Sequence, residues 1–267
     1  SLNVLEKKSK DEHSEAFAEA IKGINTVIID EVHMAKADVL KRLLTGPFAH
    51  CGIRWGLTGT VPKADYEFMG LKCSIGDVTH RIQASELQDK GVLANCHVNV
   101  LQTQDHPMFK TYAEELKWLT TDKVRMSWVA KTIKDISTSG NTLILVDRIS
   151  AGTILQEQLE GSVFVSGSTK NIDRKEQYDE VSTATNKIII ATYGVASVGI
   201  NIPRIFNLVL IEPGKSFVRV IQSIGRGIRK AEDKENVQIW DITSSCKFAK
   251  RHLGARKKFY KEANYPY

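Results

Sequence analysis

Long hydrophobic runs are missing from this 267-residue chain. No apolar stretch approaches the ~20 residues needed to cross a bilayer, which argues against a membrane-spanning helix, and no signal-peptide pattern opens the sequence. Cysteine is sparse, with four residues at positions 51, 73, 96 and 246 and no C-x-x-C pair among them. Free thiols in a reducing compartment fit that spacing better than disulfides or zinc. Aromatic residues make up only 7% of the chain, too few for a base-stacking platform. Tyr193 is the one well-placed candidate, and packing would explain it equally. Internal repeats and low-complexity segments are absent. So is any G-x-x-x-x-G-K-[ST] sequence, and with it the loop and lysine that cradle nucleotide phosphates.

Two short segments, about 190 residues apart, carry most of the positive information. Ile28-Ile29-Asp30-Glu31-Val32-His33 is an apolar run of β-formers ending in two acids and a histidine. A buried parallel strand that delivers carboxylates to its carboxyl end has this form. Asp30 there can hold a Mg²⁺ bridging nucleotide phosphates, and Glu31 can orient and deprotonate an attacking water. The alternative for the pair is plain capping of the following helix. The second segment is Gln222-Ser223-Ile224-Gly225-Arg226-Gly227-Ile228-Arg229-Lys230. Gln222, Arg226 and Arg229 stand at i, i+4 and i+7 and share one helical face. Guanidinium groups so placed can reach the oxygens where charge accumulates as a γ-phosphate leaves; a solvent-exposed arginine pair is the bland alternative.

These acids and arginines resemble motifs II and VI of superfamily 2 helicases of the DExH-box kind, here as a DEVH box. The segments between them resemble the remaining motifs in order. Leu57-Thr58-Gly59-Thr60 looks like motif III, and Leu143 to Arg148 like motif IV. Phe164-Val165-Ser166-Gly167-Ser168 is similar to the nucleic-acid loop that follows it, and Ile188 to Pro203 looks like motif V. Their order and small-residue character resemble the UvsW-type ATP-dependent DNA helicases of tailed phages. The resemblance implies tandem RecA-like domains with ATP and Mg²⁺ between them. Asp30 would be the metal ligand, and Asp30, Glu31, His33, Gly199, Asn201, Arg226 and Arg229 would line the nucleotide. Many relatives carry Asp where Asn201 stands; Asn keeps the hydrogen-bonding oxygen and lacks the charge of an ion-pair partner. His33, Thr58 and Thr60 would couple nucleotide state to the second domain, although a loop histidine and turn threonines are open structural readings. Arg148, Ser166, Gly167 and Thr192 suit sequence-independent phosphate contacts.

The rest of the pattern is α/β. An amphipathic helix over 12–24 leads into a strand at Thr26–Asp30, followed by a helix through Val39–Leu44, a strand at Ile53–Leu57 and a helix at Ser85–Lys90. Beyond a junction near Gly91–His97, strands and helices alternate as in a doubly covered parallel sheet, with helices over Pro107–Leu119 and Asp122–Ser137, a strand at Thr142–Val146, and a terminal helix from Cys246 to Tyr260 packing through Phe248, Ala255 and Phe259. The expected domains are 1–94, the C-terminal part of a first RecA-like domain that begins near motif Ib and is therefore incomplete, and 95–267, a complete second one.

Charge follows the same division. Through Ala94 there are 12 Lys and Arg against 13 Asp and Glu; the remainder holds 25 against 18. Lys247, Lys250, Arg251, Arg256, Lys257, Lys258 and Lys261 crowd the end, either as a solvated helix face or as a phosphate-tracking surface. The expectation is part of an ATP-driven helicase or translocase acting on branched DNA or R-loops in replication, recombination and repair, with RNA–DNA hybrid as a further partner. It would be a monomer, cytoplasmic, and in the host cytoplasm if phage-encoded. Lacking a P-loop, the fragment alone should be inactive. The alternatives are a non-catalytic DNA-binding module with a degenerate helicase fold, or the motor of a restriction enzyme.

Overall fold

Strands that are apolar at every position need cover on both faces, and such strands form the centre of the molecule. The structure is a computed structural model that describes residues 19–34, 37–59, 61, 65–167, 169, 180, 184–199, 202, 204–215 and 233–267. The chain divides into two compact units, Ser1–Arg81 and Ile82–Tyr267.

In the first unit, β1 (Thr26–Ile29) pairs in parallel with β2 (Ile53–Gly56). Helix α1 (Ala37–Thr45) buries Leu40 and Leu44 against Ile29 and Val32. Helix α2 (Asp65–Ser74), which the sequence pattern did not disclose, adds Leu71 to the same cluster. The opposite face of the two strands is bare: Ile28 is 58% and Trp55, its register partner, 60% exposed. The expected helix over 12–24 lies largely outside the described residues.

The second unit opens with α3 (Ala84–Asp89) and β3 (Asn95–Thr103). Gln88 donates to the Ala94 carbonyl at 2.9 Å, and Ala94 enters the core. There follow α4 (Tyr112–Thr121), α5 (Lys123–Ser137), β4 (Thr142–Val146), α6 (Ile149–Gln158), β5 (Val163–Val165), β6 (Ile188–Thr192), α7 (Tyr193–Gly199), β7 (Asn207–Ile211), β8 (Asn236–Ser244) and α8 (Lys247–Glu262). Strands β3 to β8 make one sheet in the order β3-β8-β7-β4-β6-β5, and every described pairing is parallel.

Alternation splits each strand between two cores. Leu143, Leu145, Leu208, Leu210 and Ile189 face one layer with Tyr193, Val195 and Tyr260; Ile144, Val146, Val209, Ile211 and Ile190 face α5 and α6. Helix α4 begins at Tyr112, five residues after the expected Pro107, because Thr111 and Glu114 form a reciprocal capping box there.

Two features of α8 correct the sequence reading. Its buried side chains are Ala249, His252, Leu253, Arg256 and Tyr260, whereas Phe248, Ala255 and Phe259 lie half-buried on its flank. Arg256, read as part of the basic surface, is fully buried. Its Nε and Nη2 donate to both oxygens of the equally buried Asp241 at 2.8 and 2.9 Å. Among the described residues no helix is long and apolar enough to cross a membrane.

Candidate functional site

The end of β1 assembles the first group of expected residues. Beyond the paired strands, Leu57 N–H donates to the Ile29 carbonyl at 2.8 Å and Val32 N–H to the Leu57 carbonyl at 3.0 Å. These two bonds fasten the acid-bearing turn to the Thr58-Gly59 segment. Glu31 takes φ +49°, a left-handed conformation uncommon outside glycine, and its N–H donates to Asp30 Oδ1 at 2.9 Å. Asp30 and Glu31 are both exposed.

Beneath them lies His33, whose side chain is 6% exposed. Its Nδ1 is 2.7 Å from Thr58 Oγ1 and 3.3 Å from Glu31 Oε2. The other ring nitrogen, Nε2, is buried and has no hydrogen-bond partner among the described residues. A buried polar atom without a partner is destabilising unless something outside the fold satisfies it. Thr58, His33 and Glu31 thus form one connected chain of polar contacts. Thr60 lies outside the described residues.

The donor set fits a hard divalent cation better than a transition metal. Among the described residues no group of three or more His, Cys, Asp and Glu converges on a point. Mg²⁺ needs only one or two carboxylates when waters and phosphate oxygens complete its octahedron. Asp30, exposed and with one oxygen held by a backbone N–H, matches that requirement.

In the second unit, parallel pairing aligns the expected nucleic-acid residues along one edge. Val146 is level with Thr192, and Val165 with Ala191. Arg148, Ser166, Gly167 and Thr192 therefore all follow or end neighbouring strands at their carboxyl termini. Gly167 is exposed and Thr192 and Arg148 are half-buried, with Arg148 Nη2 3.5 Å from the Ala113 carbonyl. Ser166 is buried, and its N–H donates to Thr169 Oγ1 at 3.1 Å. Tyr193 is buried and points its hydroxyl at the Ile211 carbonyl, so it packs and presents no stacking face. Gly199 closes α7. Asn201, Gln222, Arg226 and Arg229 lie outside the described residues.

Sequence reasoning missed a buried ionic network at the carboxyl ends of β7 and β8. Arg125 of α5 donates to Glu212 at 2.8 Å, and Thr243 donates to the other Glu212 oxygen at 3.2 Å. A further Arg125 nitrogen donates to the Leu119 carbonyl. Arg256 spans from Asp241 to the Gly214 carbonyl at 2.7 Å, and Tyr260 donates its hydroxyl to Asp241 at 2.7 Å. Burial pushes the Glu212 carboxyl up to about 7, against the holding charges of Arg125 and Arg256 and with that of Asp241. Glu212 has φ +43° and Gly214 φ +71°. The signal was present: like Asp30, Glu212 is an acid that terminates an apolar strand.

Comparison with known proteins places this geometry. Residues 125–231 match the helicase conserved C-terminal domain. The chain is 26% identical over 241 residues to the ATP-dependent DNA helicase uvsW of Enterobacteria phage T4, covering 86% of this chain and 48% of that protein. It thus spans about half the length of that relative. The crystal structure of T4 UvsW superposes with a TM-score of 0.57 at 20% identity, covering 98% of this chain and 56% of that one. The Mycobacterium smegmatis helicase Lhr bound to ssDNA and AMP-PNP gives a TM-score of 0.63 at 16% identity, over 98% of this chain and 33% of that one. The six-stranded parallel sheet is that of RecA-like helicase C-terminal domains. Residues 125–231 thus match a helicase conserved C-terminal domain, and the chain is similar to the phage helicase over most of its own length.

Proposed function

We propose that the chain is part of an ATP-driven DNA helicase or translocase, and that it works within a longer polypeptide that supplies the P-loop. The observation that carries this reading is the cluster at the end of β1, where Asp30, Glu31, His33 and Thr58 are joined by short polar contacts. Asp30 would hold a Mg²⁺, which when bound neutralises phosphate charge. Glu31 accepts the proton of the attacking water, its carboxylate held by the strained turn and the His33 ring. His33 relays the state of that carboxylate to Thr58, with Thr60 beside it in sequence. Gly199 and Asn201 contact the nucleotide, while Gln222, Arg226 and Arg229 act on the γ-phosphate as it leaves.

DNA runs along the carboxyl edge of β4, β6 and β5, where Arg148, Ser166, Gly167 and Thr192 contact phosphate rather than base edges. Ser166 takes part through its backbone, its side chain being buried. The bare Ile28–Trp55 face of the first unit supports the longer polypeptide, since parallel sheets are covered on both sides. In likeness to the phage helicase, branched DNA and R-loops are the substrates, in replication, recombination and repair, with RNA–DNA hybrid as a further partner and a monomer as the working form.

Glu31→Gln in the polypeptide that joins this chain to its P-loop half tests the reading. DNA-stimulated ATP turnover should fall about 10²-fold or more, with DNA affinity held within about twofold. Turnover near wild type would remove Glu31 from the chemistry. DNA binding with no ATPase in the wild-type protein would favour a non-catalytic module.

A further inference from the structure

Helix α8 is amphipathic in an unusual sense: its inner face holds the fold together and its outer face is almost entirely cationic. The inward side chains are Ala249, His252, Leu253, Arg256 and Tyr260. The exposed positions include Lys247, Lys250, Arg251, Lys257, Lys258 and Lys261. Together with the exposed Gly254 they recur once per helical turn, so they lie along one side of the helix. Glu262 is the only acid in the helix. Lys247 Nζ and Arg251 lie 5.5 and 5.3 Å from the Phe248 ring centroid, an arrangement that holds two of the six cations in place by cation–π attraction.

We propose that this outer face of α8 is a second nucleic-acid contact surface, binding the phosphate backbone of a DNA strand independently of the loops at the sheet edge. The proposal rests on the reading of the chain as a DNA motor, and adds to it a surface that none of the helicase motifs contains. Three observations argue for a phosphate backbone over any other polyanion. The stripe from Lys247 to Lys261 is about 21 Å long, enough to run past several phosphates of one strand. Gly254 sits mid-stripe, exposed, and a Cβ there would meet nothing within 4 Å. Packing therefore does not require glycine at that position, and its bare backbone lets a strand lie close against the helix. Finally, a helix that binds lipid needs an apolar face to insert, and here the apolar face is already buried in the protein.

The test compares two triple variants of equal charge change. Lys250→Gln, Lys257→Gln and Lys258→Gln remove three outer cations of α8; Lys123→Gln, Lys131→Gln and Lys134→Gln remove three exposed cations of α5. Fluorescence anisotropy with a labelled oligonucleotide of mixed sequence is measured at several salt concentrations, with thermal melts to check the fold. The α8 variant should bind about tenfold or more weakly, and its log K against log salt slope should flatten by about 2–3. The α5 variant should stay within about twofold of wild type. Equal losses in both variants would make the effect one of net charge alone and overturn the proposal. So would an α8 variant that binds DNA as wild type but loses co-sedimentation with phosphatidylserine vesicles, which would assign the stripe to a membrane surface. A wild-type chain that binds no oligonucleotide overturns both this surface and the motor reading, whereas unchanged binding by the α8 variant overturns only the surface.

Discussion

Glu212 shows how much chemistry one side chain can hold when it ends a buried strand. It is 4% exposed, bonded to Arg125 and Thr243, and lifted to about 7 by burial. The ordinary value for such a group is 4.5, so between these two limits the folded protein binds a proton that the unfolded chain has released. The stabilising contribution is complete below about pH 4.5 and is lost as pH rises through about 7, an effect on the order of 3 kcal/mol. Glu212→Gln cannot titrate. Its melting temperature relative to wild type should therefore rise between pH 5 and pH 8 by roughly 5–10 °C. A difference that stays constant across that range would show that Glu212 is ionised throughout, with Arg125 and Arg256 outweighing burial. The place of His33 directly after the acids was legible in the sequence. That its Nε2 finds no partner among the described residues was not, because that depends on what packs around the ring.

At the scale of elements, legibility followed periodicity. The strand at Thr142–Val146 has the expected bounds, since an unbroken apolar run admits little else. Helix α7 was hidden because Tyr193–Gly199 is rich in small residues and offers no amphipathic pattern; tertiary packing of Tyr193, Val195 and Ala196 supplies its order. The ends of α4 and α8 shifted for local reasons. Thr111 caps α4, and at the start of α8 the buried Glu115 carboxylate accepts the Phe248 and Ala249 N–H groups at 3.1 and 2.7 Å, doing what a capping side chain would do. One close approach fixes how α6 lies on the sheet: a Cβ added to Gly152 would lie inside contact distance of the Phe164 ring. Gly152→Ala should lower stability by about 1–3 kcal/mol in urea unfolding, although alanine is the better helix former. A stabilised variant would mean that Phe164 gives way freely and does not set that packing.

At the scale of the whole molecule, the two units differ in character. The first holds a small core under one face of two strands, with Ile28 and Trp55 exposed on the other. The second is a six-stranded open sheet with helices on both sides and a buried ionic network at the ends of β7 and β8. Carboxylates belong to the first unit and the candidate arginines to the second. The proposed function therefore requires that Glu31 and Arg229 serve one transition state. The most direct measurement is DNA-stimulated ATP turnover of the P-loop-bearing polypeptide as wild type, Glu31→Gln, Arg229→Ala and the double variant, alongside nucleotide affinity. Each single variant should lose about 10²-fold or more in turnover, Arg229→Ala should keep nucleotide affinity within about threefold, and the double should fall no further than the slower single. Turnover near wild type in Arg229→Ala, or losses that multiply in the double, would contradict the proposed function.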